Sequence, residues 1–180
     1  MFYPARYIFL IDADERSTAA LNKKIQEILK SPQYDGYYIP RKVFFLGKWI
    51  KHCGWWPDYV LRLFRKDKGR YNNHLGHGRV ELTGKTSQLK NPMLHYTCTD
   101  LGDFIARINA RTSIMARGSQ QPASLAKCLL HGWARFIKTY FIKAGFLDGK
   151  EGLILSIIVS YDVFLKYLKL WEKGRTKTLK

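Results

Sequence analysis

The first readable pattern of apolar and polar positions is "RYIFLID", Arg6 to Asp12, a short β-branched and aromatic run that stops in Asp12, Asp14 and Glu15. It predicts a buried strand with carboxylates gathered at its carboxyl end. The period then lengthens: Leu21, Ile25, Ile28 and Leu29 recur at helical spacing down to Lys30, behind Ser17 or Thr18 as a cap, until "SPQYDG" breaks the pattern. "YYIPRKVFFLG", 37–47, predicts a second strand in which Pro40 points to an edge or a bulge. Trp49, Trp55 and Trp56, set around Gly54 and Pro57, fit no regular helix and predict a loop leading into a strand, "YVLRLFRK". "GRVELTG" and "QLKNPMLHYT" predict two more short strands.

From Asp100 the pattern turns helical, with Leu101, Phe104, Ile105, Ile108 and Ile114 marking one helix. "RGSQQPAS" separates it from a basic amphipathic stretch, Leu125 to Ala144. "GFLDGKEG" predicts a turn before a final apolar helix, and the "KGRTKTLK" tail is expected to be disordered. The chain therefore reads as α/β up to about Thr97 and helical afterwards, with segments 1–98 and 99–180 and no internal repeat.

Charge narrows what such a chain meets. Its 31 Lys+Arg against 14 Asp+Glu leave a net +17, which implies a polyanionic neighbour: nucleic acid, an anionic bilayer or a phosphorylated substrate. Cys53, Cys98 and Cys128 are odd in number and far apart, so they suggest neither a zinc cluster nor a disulfide framework, and they favour a reducing compartment. The opening apolar run is too short for a secretory signal. Asp162, Lys166 and Lys169 interrupt "GLILSIIVSYDVFLKYLKLW", which suits a segment lying on a membrane better than one crossing it.

Asp12 and Asp14, two apart at a strand end, can present hard oxygen ligands of the kind magnesium or manganese accept, leaving positions open for phosphate oxygens. They can equally form an acidic turn that favours the amino terminus of the next helix. In the amphipathic stretch, Lys127, Arg135, Lys138 and Lys143 interleave with Leu129, Trp133 and Phe141. This suits either an interfacial helix on an anionic leaflet or a buried helix with snorkelling lysines.

"IDADERST", then "YYIPRKVFFLGKWIKHCGWWPDYVLRLFRKDKGRY", "LKNPMLHYT" and "GFLDGKEGL" together resemble the family 2 inverting glycosyltransferases of bacterial envelope synthesis, in the lipopolysaccharide-core glucosyltransferase-like branch. The resemblance runs from about Arg6 to Glu172. It implies a partial GT-A-type (nucleotide-diphospho-sugar transferase) sheet followed by a carboxyl-terminal helical region. It further implies that Asp12 and Asp14 position the diphosphate of a nucleotide sugar through a divalent cation, Mg or Mn. Asp58 falls where the family carries its general base, and a carboxylate beside tryptophans can have its pKa raised towards working pH; the alternative is a cap on the turn after Pro57. Trp55 and Trp56 are candidates for stacking on a sugar, or for core or membrane-interface roles. Arg62, like Arg65, is a candidate phosphate fork or a solvated strand residue.

His77 stands where family members show His-Glu, but here Gly78 follows it, which bears on acceptor binding or metal geometry. The strand-helix-strand half that holds base and ribose in the family is absent, so a partial domain is expected: Arg6–Asp12 should be a central parallel strand buried on both faces, and without its partners it would expose an edge and an apolar surface. The expected activity is transfer of a sugar, with inversion, from a nucleotide-diphosphate donor to a lipid-linked or lipopolysaccharide-core acceptor. The expected place is peripheral, on the anionic cytoplasmic face of a bacterial inner membrane. A non-catalytic remnant or membrane adaptor is the alternative. A nucleic-acid binder is disfavoured, because no motif of recognisable spacing accompanies the charge and the acidic triplet repels phosphates.

Overall fold

The computed structural model describes residues 6–74, 77–121 and 123–178, with their side chains except at 73–79 and 176–178. In chain order the elements are strands β1 (Tyr7–Phe9) and β2 (Glu15–Arg16), helix α1 (Ala19–Lys30), and strands β3 (Gly36–Phe45), β4 (Lys48–Trp49), β5 (Asp58–Arg65), β6 (Gly69–His74), β7 (His77–Leu82), β8 (Thr86–Gln88) and β9 (Met93–Cys98). Helices α2 (Leu101–Gly118) and α3 (Leu125–Ile137), a π-helical turn (Lys138–Ile142), a 3-10 turn (Gly145–Asp148) and α4 (Gly149–Thr178) follow. Two compact units result, Met1–Phe44 with Trp55–Thr97, and Phe45–Gly54 with Cys98–Lys180.

In the first unit the strands run β1-β5-β3-β9-β2, with β8 added parallel to the start of β3. Helix α1 closes one core through Leu21 and Ile25, which meet Tyr37, Ile39, Leu63, Leu89 and Met93. Thr18 is the cap: its Oγ1 accepts from Leu21 N at 3.2 Å and donates to the Pro92 carbonyl at 2.9 Å, tying the helix start to the approach of β9.

Two expectations change here. The opening strand is not parallel: β1 is three residues long and pairs antiparallel with β5, its one neighbour among the described strands, and it lies at the sheet edge with Ile8 exposed, the edge and apolar surface expected of it without its partners. Pro40 marks no edge either. It sits fully buried in central β3 opposite Tyr59, packing of the ring standing in for the withheld donor, and the irregularity of the β3–β5 ladder falls at Tyr37/Tyr38. The "GRVELTG" strand is β7, paired with polar β6 in a separate ribbon that apolar periodicity does not reveal. "QLKNPMLHYT" divides into β8 and β9 on either side of Pro92.

In the second unit, the charges that interrupt the apolar run of α4 serve its packing on α2. Arg111 donates to Asp162 at 2.7 Å, and Lys169 Nζ donates to the Asn109 carbonyl at 2.7 Å and to Thr112 Oγ1 at 2.8 Å. Lys173 Nζ donates to the carbonyls of Arg117 and Ser119, both at 2.8 Å, so a cation closes the carboxyl end of α2. That use of Lys173 explains why the tail expected to be disordered is helical as far as Thr178. No helix among the described residues is long and apolar enough to cross a membrane.

The 45–54 segment is held by Asp148, whose carboxylate accepts from Lys51 N at 3.2 Å and His52 N at 2.8 Å. The 3-10 turn and α4 approach closely there: a Cβ on Gly152 would stand 2.0 Å from the Gly145 carbonyl oxygen, so no other residue fits. Cys53, Cys98 and Cys128 are free thiols, all buried. Burial pushes each thiol up, and for Cys53 it outweighs the Ser156 hydrogen bond and carries the pKa to about 11. A folded value above the ordinary thiol value means stability that is full below about 9 and lost as pH rises towards 11. The native chain at pH 8 should therefore resist a thiol reagent, and all three cysteines should react after unfolding; rapid native labelling of Cys53 would contradict this burial.

Candidate active site

The acidic turn after β1 is built around the residue that sequence reading gave the least chemistry. Glu15 is 2% exposed, and a carboxylate so buried requires partners. Its Oε2 accepts from Asp12 N at 3.0 Å, closing the turn. Its Oε1 accepts from Arg62 Nη2 at 2.6 Å and Arg41 Nη1 at 3.2 Å. Arg62 also donates to Asp12 Oδ2. Burial opposes the Arg62 charge, but the field of Glu15 and the hydrogen bonds that Arg62 donates to both carboxylates prevail, and its pKa is raised.

Strand pairing delivers the rest. Arg41 and Asp58 lie directly opposite one another on the β3–β5 ladder and share a face, so Arg41 donates Nε at 2.8 Å and Nη2 at 2.5 Å to Asp58 Oδ2. Glu15 lies opposite His95 on β2–β9, and His95 Nε2 stands 3.1 Å from Asp14 Oδ2. The cluster holds three carboxylates, Asp12, Glu15 and Asp58, against two guanidiniums, so it keeps a formal negative charge even before Asp14 is counted. In a chain of net +17, this is a built anionic site.

Of the residues singled out from sequence, Asp12, Asp58 and Arg62 come together in this ion cluster, and Asp14 meets His95 beside it. Asp58 opens β5 and accepts from Arg41. Arg62, read as a phosphate fork, is engaged by Glu15 and Asp12. Arg65 is not part of the cluster and pairs with Asp67 at 2.6 Å and Asp35 at 3.4 Å. Trp55 and Trp56 are half-buried in the loop before β5. His77 lies opposite His74 in the β6–β7 ribbon, and its side chain is outside the described residues.

Arg41 and His95 went unnoticed in the sequence. A signal existed: Arg41 alternates with buried Ile39 and Val43, and His95 lies two residues from fully buried Met93. A charged or polar residue at a core-facing strand position calls for a counter-group.

The residues can be tested against the divalent cation that the resemblance implies. No group of three metal-ligating side chains forms among the described residues. Magnesium and manganese in diphosphate sites, however, take one or two carboxylates and complete their shell with water and phosphate oxygens. Asp14 beside His95, both partly accessible, with half-exposed Asp12 two residues away, is a donor set of that kind. The groove between α1 and the β3–β8 pair, about 350 Å³ and lined by Lys24, Tyr34, Tyr37 and Gln88, shares no residue with the cluster.

No protein-family model and no solved structure matches the chain. A lipopolysaccharide core biosynthesis glycosyltransferase, LpsC, of Rhizobium meliloti (strain 1021) is 26% identical over 184 residues, covering 95% of this chain and 66% of its own length. An uncharacterized glycosyltransferase of Rickettsia prowazekii (strain Madrid E) is 26% identical over 180 residues, 91% of this chain and 61% of the relative. One of Rickettsia typhi (strain ATCC VR-144 / Wilmington) is 24% identical over 183 residues, at 92% and 62%. The chain thus spans between 61% and 66% of the length of these relatives. Over more than nine-tenths of its own length, it is similar to glycosyltransferases, one of them named for lipopolysaccharide core biosynthesis.

Proposed function

We propose that this chain carries the acceptor side and the diphosphate-facing carboxylates of a family 2 type, inverting glycosyl transfer, from a nucleotide-diphosphate sugar to a lipid-linked or lipopolysaccharide-core acceptor. The observation that carries the reading is the placement of Asp58: a partly exposed carboxylate, fixed through Oδ2 by two N–H groups of Arg41, in one cluster with Asp12. An inverting displacement needs a base on the side opposite the leaving diphosphate, to take the proton of the attacking hydroxyl. Both Arg41 contacts fall on Oδ2, which leaves Oδ1 as the oxygen for that proton. Arg41 is anchored in turn by Glu15, so the carboxylate is oriented by groups that do not move with the substrate.

Asp14, with His95 and Asp12, would hold magnesium or manganese, which supplies positive charge against the diphosphate as it leaves. Arg62 keeps Asp12 in place. Calorimetric titration of the chain with a uridine diphosphate sugar, with and without manganese, tests the reading. Binding is expected with manganese and at least about tenfold weaker without it, and Asp14→Ala should abolish the difference. Failure of the folded chain to bind the nucleotide sugar in either condition would remove the diphosphate site from the proposal.

A further inference from the structure

Helix α3 turns its small side chains inward and its large ones out. It meets α4 through buried Cys128 and Gly132: a Cβ on Gly132 would lie 3.2 Å from Phe164 Cβ, and Ser160 Oγ donates to the Gly132 carbonyl at 2.6 Å. His131 stacks on Tyr167 with ring centres 4.3 Å apart. Leu129, Leu130 and Trp133 are instead 65%, 65% and 64% exposed. At about 100° per residue they share an arc of about 100°; Lys127 lies about 60° beyond Leu130, while Arg135 falls on the opposite side of the helix.

The exposed surface continues past the helix. Ring contacts run from Trp133 to Phe136 at 6.0 Å, to Tyr140 at 5.4 Å and to Phe146 at 6.2 Å, and Ile142 at the end of the π-helical turn is 72% exposed. Lys138 and Lys143 are exposed at the two ends of that turn. In this chain the large apolar side chains of the segment thus face outward, away from the contact with α4.

We propose that α3 and the π-helical turn dock on an anionic lipid bilayer, with Leu129, Leu130, Trp133 and Ile142 in the acyl boundary and the flanking basic residues against the headgroups. A helix of 13 residues is about 20 Å long, too short to span a hydrocarbon core of about 30 Å, so it lies in the interface plane. Two features favour lipid over a second copy of the chain. Apposing two such faces brings lysine against lysine, whereas anionic headgroups complement the rim and the net +17 alike. The aromatic cluster has the amphipathic composition that settles at the headgroup level.

The inference does not depend on glycosyl transfer and is read without activity. In flotation assays, the full chain should bind vesicles containing about 30% phosphatidylglycerol and bind pure phosphatidylcholine vesicles at least about tenfold more weakly. The variant Leu129→Glu/Trp133→Glu, altered only at exposed positions, should lose binding by about tenfold or more while its circular dichroism melt is unchanged. Equal binding by variant and parent, or no binding of the parent to anionic vesicles, would overturn the proposal. So would a dimer that Leu129→Glu dissociates in a chain that ignores vesicles.

Discussion

Replacing Glu15 by glutamine is expected to lower the unfolding free energy by about 3–5 kcal/mol, read as a shifted urea midpoint at unchanged slope. The change keeps the size of the side chain but leaves Arg62, itself buried, and Arg41 facing a neutral amide. A domain stable by about 5–15 kcal/mol loses a large share of its margin that way. Asp12→Asn, at a half-exposed carboxylate that also meets Arg62, should shift stability by about 1 kcal/mol or less. Replacing both members of the most buried pair, Glu15→Met with Arg62→Met, should recover part of the loss, because well-packed apolar groups remove the need for compensation. An effect of Glu15→Gln no larger than that of Asp12→Asn would show that the ion cluster does not hold the turn.

For the proposed transfer, Asp58→Asn in the intact enzyme should lower kcat by about 10²–10⁴-fold, the usual contribution of a positioned base. Donor affinity should change by less than about twofold, since the substitution leaves Asp12 and Asp14 in place. The two effects separate chemistry from folding, because Asp58 is partly exposed and Arg41 retains Glu15 as a partner, so the stability change should stay within about 1 kcal/mol. Unchanged turnover in Asp58→Asn would move the base to another residue.

What was legible in the sequence follows from the range of each interaction. Alternation and helical spacing are local, so β3, β5, α2 and the amphipathic segment around α3 could be read close to their observed bounds. Asp12, Asp14 and Asp58 were singled out through resemblance, but the Glu15, Arg62 and Arg41 network that links Asp12 to Asp58 was not. Arg41 and His95 were not, because their roles come from strand pairing, Arg41 with Asp58 across 17 residues and His95 with Asp14 across 81. Strand order also decided the edge position of β1 and the central position of Pro40, and no local period encodes order. For α3, the pattern left core and membrane readings equal. In the structure Cys128 and Gly132 make the contact with α4, and the large apolar side chains face outward.

The clasp of Asp148 on the 45–54 segment has a temporal consequence during synthesis. Its bonds to Lys51 and His52 close chain separations of 97 and 96 residues, and Lys48 reaches Glu151 across 103. Loop closure over such lengths is slow relative to hairpins and local helices. While the ribosome is still completing α4, β3 and β5 can already zip together, yet the segment joining them dangles without an anchor. Maturation of this polypeptide thus ends with the capture of an early segment by a late one, and a nascent chain halted before Asp148 should remain open to protease between Phe45 and Gly54.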